Sequence, residues 1–239
     1  MTDVAPLALD SARVRETVER LSLRVADRFP DSGLSMVARA VLDVADDSER
    51  VLDWIERPNV PLRIGIGLIV VLLLGVLFAG LNAIDLSSDD FAASELVPLI
   101  EAATNELILI GAAILFLVGI ETRTKRRRVI HAVNRLRGIA HVIDAHQLTK
   151  DPTAILEGVQ RTKHSPVRGL SPEELNRYLD YCTEMLAMVA KLGFLYVQRF
   201  DDTQANHAVN ELESLTTGLS RKIWQKMMIL ESRRGSSSA

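Results

Sequence analysis

Apolar residues are distributed along this chain in two different patterns. Val14, Val18, Leu21, Val25 and Phe29 stand four, three, four and four residues apart, with Arg and Glu between them, which is the spacing of one face of an α-helix. Pro30, Asp31, Ser32 and Gly33 interrupt the pattern, and Val37, Val41, Val44, Val51 and Ile55 form a second stripe that Pro58 and Pro61 close. These spacings predict two amphipathic helices paired antiparallel, each with an apolar stripe that needs a further partner. Farther along, Ser171, Pro172 and Glu174 set Ser at the N-cap, Pro at N1 and Glu at N3 of another helix. Its stripe of Leu175, Leu179, Cys182, Leu186, Val189 and Leu192 is broadened by Tyr178 and Met185. A last helix starts within Asp201 to Gln204 and presents Val209, Leu212, Leu219, Ile223, Met227 and Leu230. No segment alternates with period two over a useful length, so the expected fold class is all-α.

The second pattern is continuous. From Ile64 to Ile84 the chain runs twenty-one residues without a charge, enough to cross the roughly 30 Å hydrocarbon core of a bilayer as a helix. A second run, Leu107 to Ile120, has fourteen residues, about 21 Å of helix. It reaches spanning length only when extended upstream to Glu101, which places Glu106 more than a turn inside the outer boundary. Glu106 is therefore either an interfacial carboxylate or part of a polar pathway. From Thr122 to Gln147 only Gly138 is a breaker, so the second spanning helix is expected to continue for about 70 Å in all. Residues 148–171 read as a connector with a short helix near Thr153 to Gln160.

Composition and charge sharpen this. The 239 residues are 48% hydrophobic and 25% charged, with a formal net charge of −3, so bulk nucleic-acid affinity is not expected. Arg123, Lys125, Arg126, Arg127, Arg128, Arg135, Arg137 and Lys150 follow the second run, and Arg57 and Arg63 precede the first. Asp85, Asp89, Asp90, Glu95, Glu101 and Glu106 lie between the runs with no Lys or Arg. Basic residues stay cytoplasmic, so both termini are expected inside, in the inner membrane of a bacterium. The first run follows a long charged segment and reads as a retained anchor rather than a cleaved signal. The expected division is 1–60 as a cytoplasmic helical pair, 61–84 and 101–121 as membrane helices and 85–100 as an acidic external loop. Residues 122–231 are expected as a cytoplasmic helical region whose amphipathic helices pack with the N-terminal pair as one bundle, carried on a two-helix transmembrane hairpin, and 232–239 as a flexible tail. Gly75, Ala79 and Ala83, with Gly111 and Gly119, offer small faces for helix association.

Chemical motifs are sparse. The lone Cys182 excludes an intramolecular disulfide and multi-cysteine metal sites, and its apolar stripe points to packing. No GxxxxGK[ST] phosphate loop occurs, nor a nucleophile elbow. His141 and Asp144 share a helical face, as do His207 and Glu211; ligation across the helices would need these four together, but the expectation is hydrogen-bonded polar residues, with no metal or other cofactor and no catalytic set. The cluster Arg123, Lys125, Arg126, Arg127 and Arg128 is a topology determinant that can also hold anionic headgroups or an acidic protein partner.

The segments IAHVIDAHQLTKDP (Ile139 to Pro152), RYLDYCTEMLAMVAKLGFLYVQ (Arg177 to Gln198) and LTTGLSRKIWQK (Leu215 to Lys226) resemble an uncharacterised family of bacterial two-span membrane proteins. The layout of two spans ahead of a helical tail is also loosely similar to the SLATT family of predicted pore-forming effectors, a resemblance that implies no site residues. The expected function is non-enzymatic: a self-associating helical interaction or sensing module held at the membrane. The alternative is an oligomeric pore lined in part by Glu106 and gated by the cytoplasmic helices.

Overall fold

The structure, a computed structural model, describes residues 8–82, 93–150, 152, 163–164 and 169–237. The helices are α1 (Ser11–Arg28), α2 (Gly33–Glu56), α3 (Val60–Asn82), α4 (Ala93–Leu148), α5 (Pro172–Gln198) and α6 (Thr203–Ser237). Among the described residues there is no strand, as the periodicity predicts. The short helix expected near Thr153 lies outside the described residues. The chain divides into two compact units, Met1–Glu56 with Arg126–Ala239, and Arg57–Lys125.

The first unit has a continuous apolar core. Val14, Val18, Leu21 and Val25 of α1 meet Val37, Val41 and Val44 of α2, and Leu179, Leu186, Val189 and Leu192 of α5 close over both. Leu212 and Ile223 of α6 and Val129, Val133, Leu136 and Ile143 of α4 complete it. Every side chain counted in the sequence stripes is buried here except Val51 and Met227, which pack partly buried against the core. Asp10 caps α1 by accepting from the Ala12 and Arg13 N–H groups, and the capping box of Ser171 and Glu174 starts α5. Between α1 and α2 the chain turns at Asp31, with φ +53°, a left-handed conformation that Asp tolerates better than most residues. Arg15 Nε then reaches Asp46 Oδ1 at 2.7 Å, so α1 and α2 run antiparallel. Phe29 packs edge-on against Tyr178, with centroids 5.5 Å apart. Gly193 lets α5 and α6 close up: a Cβ there would stand 2.7 Å from Leu212 Cδ2.

The second unit holds α3 and the first part of α4, and it has the opposite surface. Leu68, Leu72 and Phe78 are 66%, 67% and 69% exposed, and Leu115 is 76% exposed. Two helical stretches contain an eighteen-residue window of mean hydropathy 2.1 with none of the window buried, and both are long and apolar enough to cross a membrane. Arg63 Nε and Nη2 donate to Glu121 at 3.1 and 3.2 Å, tying the start of α3 to α4.

Two boundaries differ from the sequence reading. Residues 93–100, expected in a loop, are helical, and α4 accommodates Pro98 at its sixth residue, where the missing N–H removes one hydrogen bond of the ladder. Residues 232–237, expected as a tail, continue α6; Glu231, Arg233 and Arg234 are good helix formers.

Candidate functional site

The basic cluster at the exit of the second apolar run divides in the structure. Within the first unit, Arg126 lies against Asp202, which directly precedes α6. Its Nε donates to Oδ1 and Oδ2 at 3.0 and 2.9 Å, and Nη2 donates to Oδ2 at 2.7 Å. Asp202 Oδ1 also accepts from the Gln204 and Ala205 N–H groups, so one carboxylate caps α6 and holds α4. Asp202 is buried, and the Arg126 guanidinium together with these backbone donors keeps its carboxyl below the usual carboxylate range. Arg128 lies over the Trp54 ring, 4.1 Å from its centroid, and Arg199 pairs with Glu56. Arg127 is exposed. Within the second unit, Lys125 Nζ is 3.3 Å from Glu121, the carboxylate that also takes Arg63, and Arg123 is exposed. Three of the five cluster residues thus have internal partners, a division that residue type alone does not reveal.

Glu106 is half-buried in α4, and its Oε1 is occluded without a hydrogen-bond partner. The cost of an unmade bond at a buried acceptor exceeds what an average made bond contributes. The small faces are open: a Cβ added at Gly75, Gly111 or Gly119 meets no atom within 4 Å. These glycines are therefore not used for close packing among the described residues.

The polar set on α4 and α6 does not gather. His141 is exposed, Asp144 accepts from Gln147 Nε2 at 3.1 Å, and Glu211 accepts from Arg137 at 2.7 Å. His207 Nδ1 stands 3.8 Å from Glu211, and no group of three metal-binding side chains forms among the described residues. Cys182 is fully buried, and burial pushes its thiol up to about 12, so at neutral pH it is a protonated packing group rather than a nucleophile.

Several placed groups were missed from sequence. Asp202 was visible only as a helix start, because its partner is 76 residues away; Trp54 and Glu121 carried no signal of their own. Comparison with family models, curated proteins and solved structures finds no match to this chain.

Proposed function

We propose that this protein is a non-enzymatic integral membrane protein of the bacterial inner membrane. In this reading α3 and the first part of α4 form a transmembrane hairpin with both termini cytoplasmic, and the first unit is a helical interaction or sensing module. The observation that carries it is the unburied pair of windows of mean hydropathy 2.1 beside a unit that already has a complete core. Apolar surface on that scale does not persist in water on a monomer. The basic asymmetry across the loop supplies the orientation. Anionic headgroups or an acidic protein partner would engage the exposed Arg123 and Arg127 in preference to the paired Arg126 and Lys125. The open glycine faces support self-association.

Cysteine labelling tests the topology, because the native Cys182 is buried and protonated. With Ser88→Cys, an impermeant maleimide should react in intact spheroplasts, whereas Ser11→Cys should react only after lysis. The reverse pattern, or labelling of both from outside, overturns the orientation. Arg123→Gln alone and Arg127→Gln alone should each weaken binding to anionic liposomes more than Arg126→Gln; equal losses would reject the division of the cluster.

The occluded Oε1 of Glu106 favours a second reading, an oligomeric pore in which that carboxyl finds its partner across a subunit seam. Native mass spectrometry in nanodiscs separates the two. A monomer or dimer rejects a wide pore, and a ring of four or more whose ion selectivity changes with Glu106→Gln supports it.

A further inference from the structure

The chain ahead of α1 is fastened to the end of α5. The side-chain amide of Gln198 holds both backbone groups of Leu9: its Oε1 accepts from the Leu9 N–H at 2.8 Å, and its Nε2 donates to the Leu9 carbonyl at 3.1 Å. A pair of this kind engages main chain whatever the side chain. Leu9 packs against the core of the first unit, and Asp10 after it is extended, with φ −89° and ψ 119°.

A groove of about 500 Å³ opens at this clamp, lined by Ala8, Leu9, Ala190, Lys191, Phe194 and Glu213. Ala190, Phe194 and Gln198 stand at i, i+4 and i+8, so they share one face of α5. Phe194 is 43% exposed, a large ring left open on that face. Lys191 and Glu213 bring one charge of each sign, so the groove favours neither an anion nor a cation.

Next in line along the chain are Val4, Ala5, Pro6 and Leu7, none of them charged. Pro6 biases Ala5 to an extended backbone and has no N–H to satisfy. In an extended chain Leu7 and Ala5 share the face of Leu9. Two residues of such a chain advance about 7 Å, and a four-residue step along α5 advances about 6 Å. With Leu9 fixed at Gln198 and Ala8 already in the groove, the two rhythms match, bringing Leu7 to Phe194 and Ala5 to Ala190.

We infer that this groove is a recognition site for an extended aliphatic segment, and that its occupant is residues 4–7 of the same chain with Leu7 anchored on Phe194. The Gln198 clamp supplies the main-chain hydrogen bonds and Phe194 the side-chain contact, the division found in strand-type peptide recognition. The inference concerns the first unit alone and does not depend on where α3 and α4 reside.

Maleimide labelling of the full chain in detergent micelles tests it, with Ala190→Cys as the reporter and the buried native Cys182 silent unless the fold is lost. Adding Leu7→Asp should raise the labelling rate of Ala190→Cys at least about tenfold, and so should Gln198→Ala. Ser214→Cys, exposed on α6, should label fast with and without Leu7→Asp. A slow Ala190→Cys rate that Leu7→Asp leaves unchanged would mean another occupant, and a rate already equal to that of Ser214→Cys would mean an empty groove; both overturn the inference. If Gln198→Ala exposes Cys182, Leu7→Asp decides alone. Mild oxidation of Ala5→Cys with Ala190→Cys identifies the source of the segment. An intramolecular disulfide is expected, whereas a covalent dimer would assign the groove to a second copy and no disulfide would place the segment outside it, and either result overturns the inference.

Discussion

Leu186 and Leu72 are the same side chain in opposite surroundings. Leu186 of α5 is 0% exposed inside the core of the first unit, whereas Leu72 of α3 is 67% exposed. In the first unit each helix shows one apolar face, and stability comes from hiding that face against other helices, on the order of 1.5–3 kcal/mol for each large side chain. In α3 the apolar residues go all round the helix, so no arrangement of neighbours within this chain hides them. The difference is in where the solvent change occurs: inside the protein for one unit, and, on the proposal made here, between protein and lipid for the other. A core that is complete without α3 explains why α3 can remain bare.

The most disruptive change within this comparison is Leu186→Ala, which should cost about 2–5 kcal/mol through lost burial and a cavity, read as a fall in the thermal midpoint of detergent-purified protein. Leu72→Ala should leave that midpoint nearly unchanged; equal falls would mean that α3 is part of a protein core. Next comes Leu72→Arg, which should oppose insertion by about 2.5–3.5 kcal/mol and shift protein from the membrane fraction to aggregates or degradation, while unchanged fractionation would reject α3 as a span. Smaller is Gly193→Ala. Its Cβ would press on the fully buried Leu212, so a loss of about 1–3 kcal/mol is expected, against none for Gly75→Ala, where space is open.

The smallest effect concerns Asp202. Asp202→Ala removes the cap of α6, worth about 1 kcal/mol, and releases Arg126. Because the folded-state carboxyl is held below its usual range, its contribution is fully present at neutral pH. That contribution is lost as pH falls below about 4, the ordinary aspartate value, and on through the lowered one. Thermal midpoints measured at pH 7 and pH 3.5 should therefore differ less in Asp202→Asn than in the native chain; an equal difference would show that Asp202 carries none of the acid sensitivity.

Most of the helices were legible because their cues are local. Val14 to Phe29 reports its burial through spacing, and Ser171 with Glu174 reports a helix start through two side chains three residues apart. Both boundaries that moved lie where local cues are weak: Pro98 marks a helix start only if nothing N-terminal to it supports helix, and residues 232–237 hold Arg233 and Arg234 beside Gly235 and three serines, a mixture that favours neither helix nor tail. The candidate site was harder to read. Arg123, Arg126 and Arg127 are alike in sequence, yet Asp202 takes only Arg126, because the start of α6 is brought beside α4 by packing of α5 and α6.

The order of apolar and polar residues alone determined that this protein is helical, that two of its stretches can cross a membrane and that basic residues flank the pair of stretches and are absent between them, since each follows from interactions within a few turns of chain, from summed transfer free energy or from the sequence itself. Tertiary structure decided which charges are spent internally, whether the small faces of α3 and α4 are covered, and which polar atoms are left without partners. Those outcomes depend on distances between residues far apart in sequence, set by how the helices pack and invisible to any local pattern.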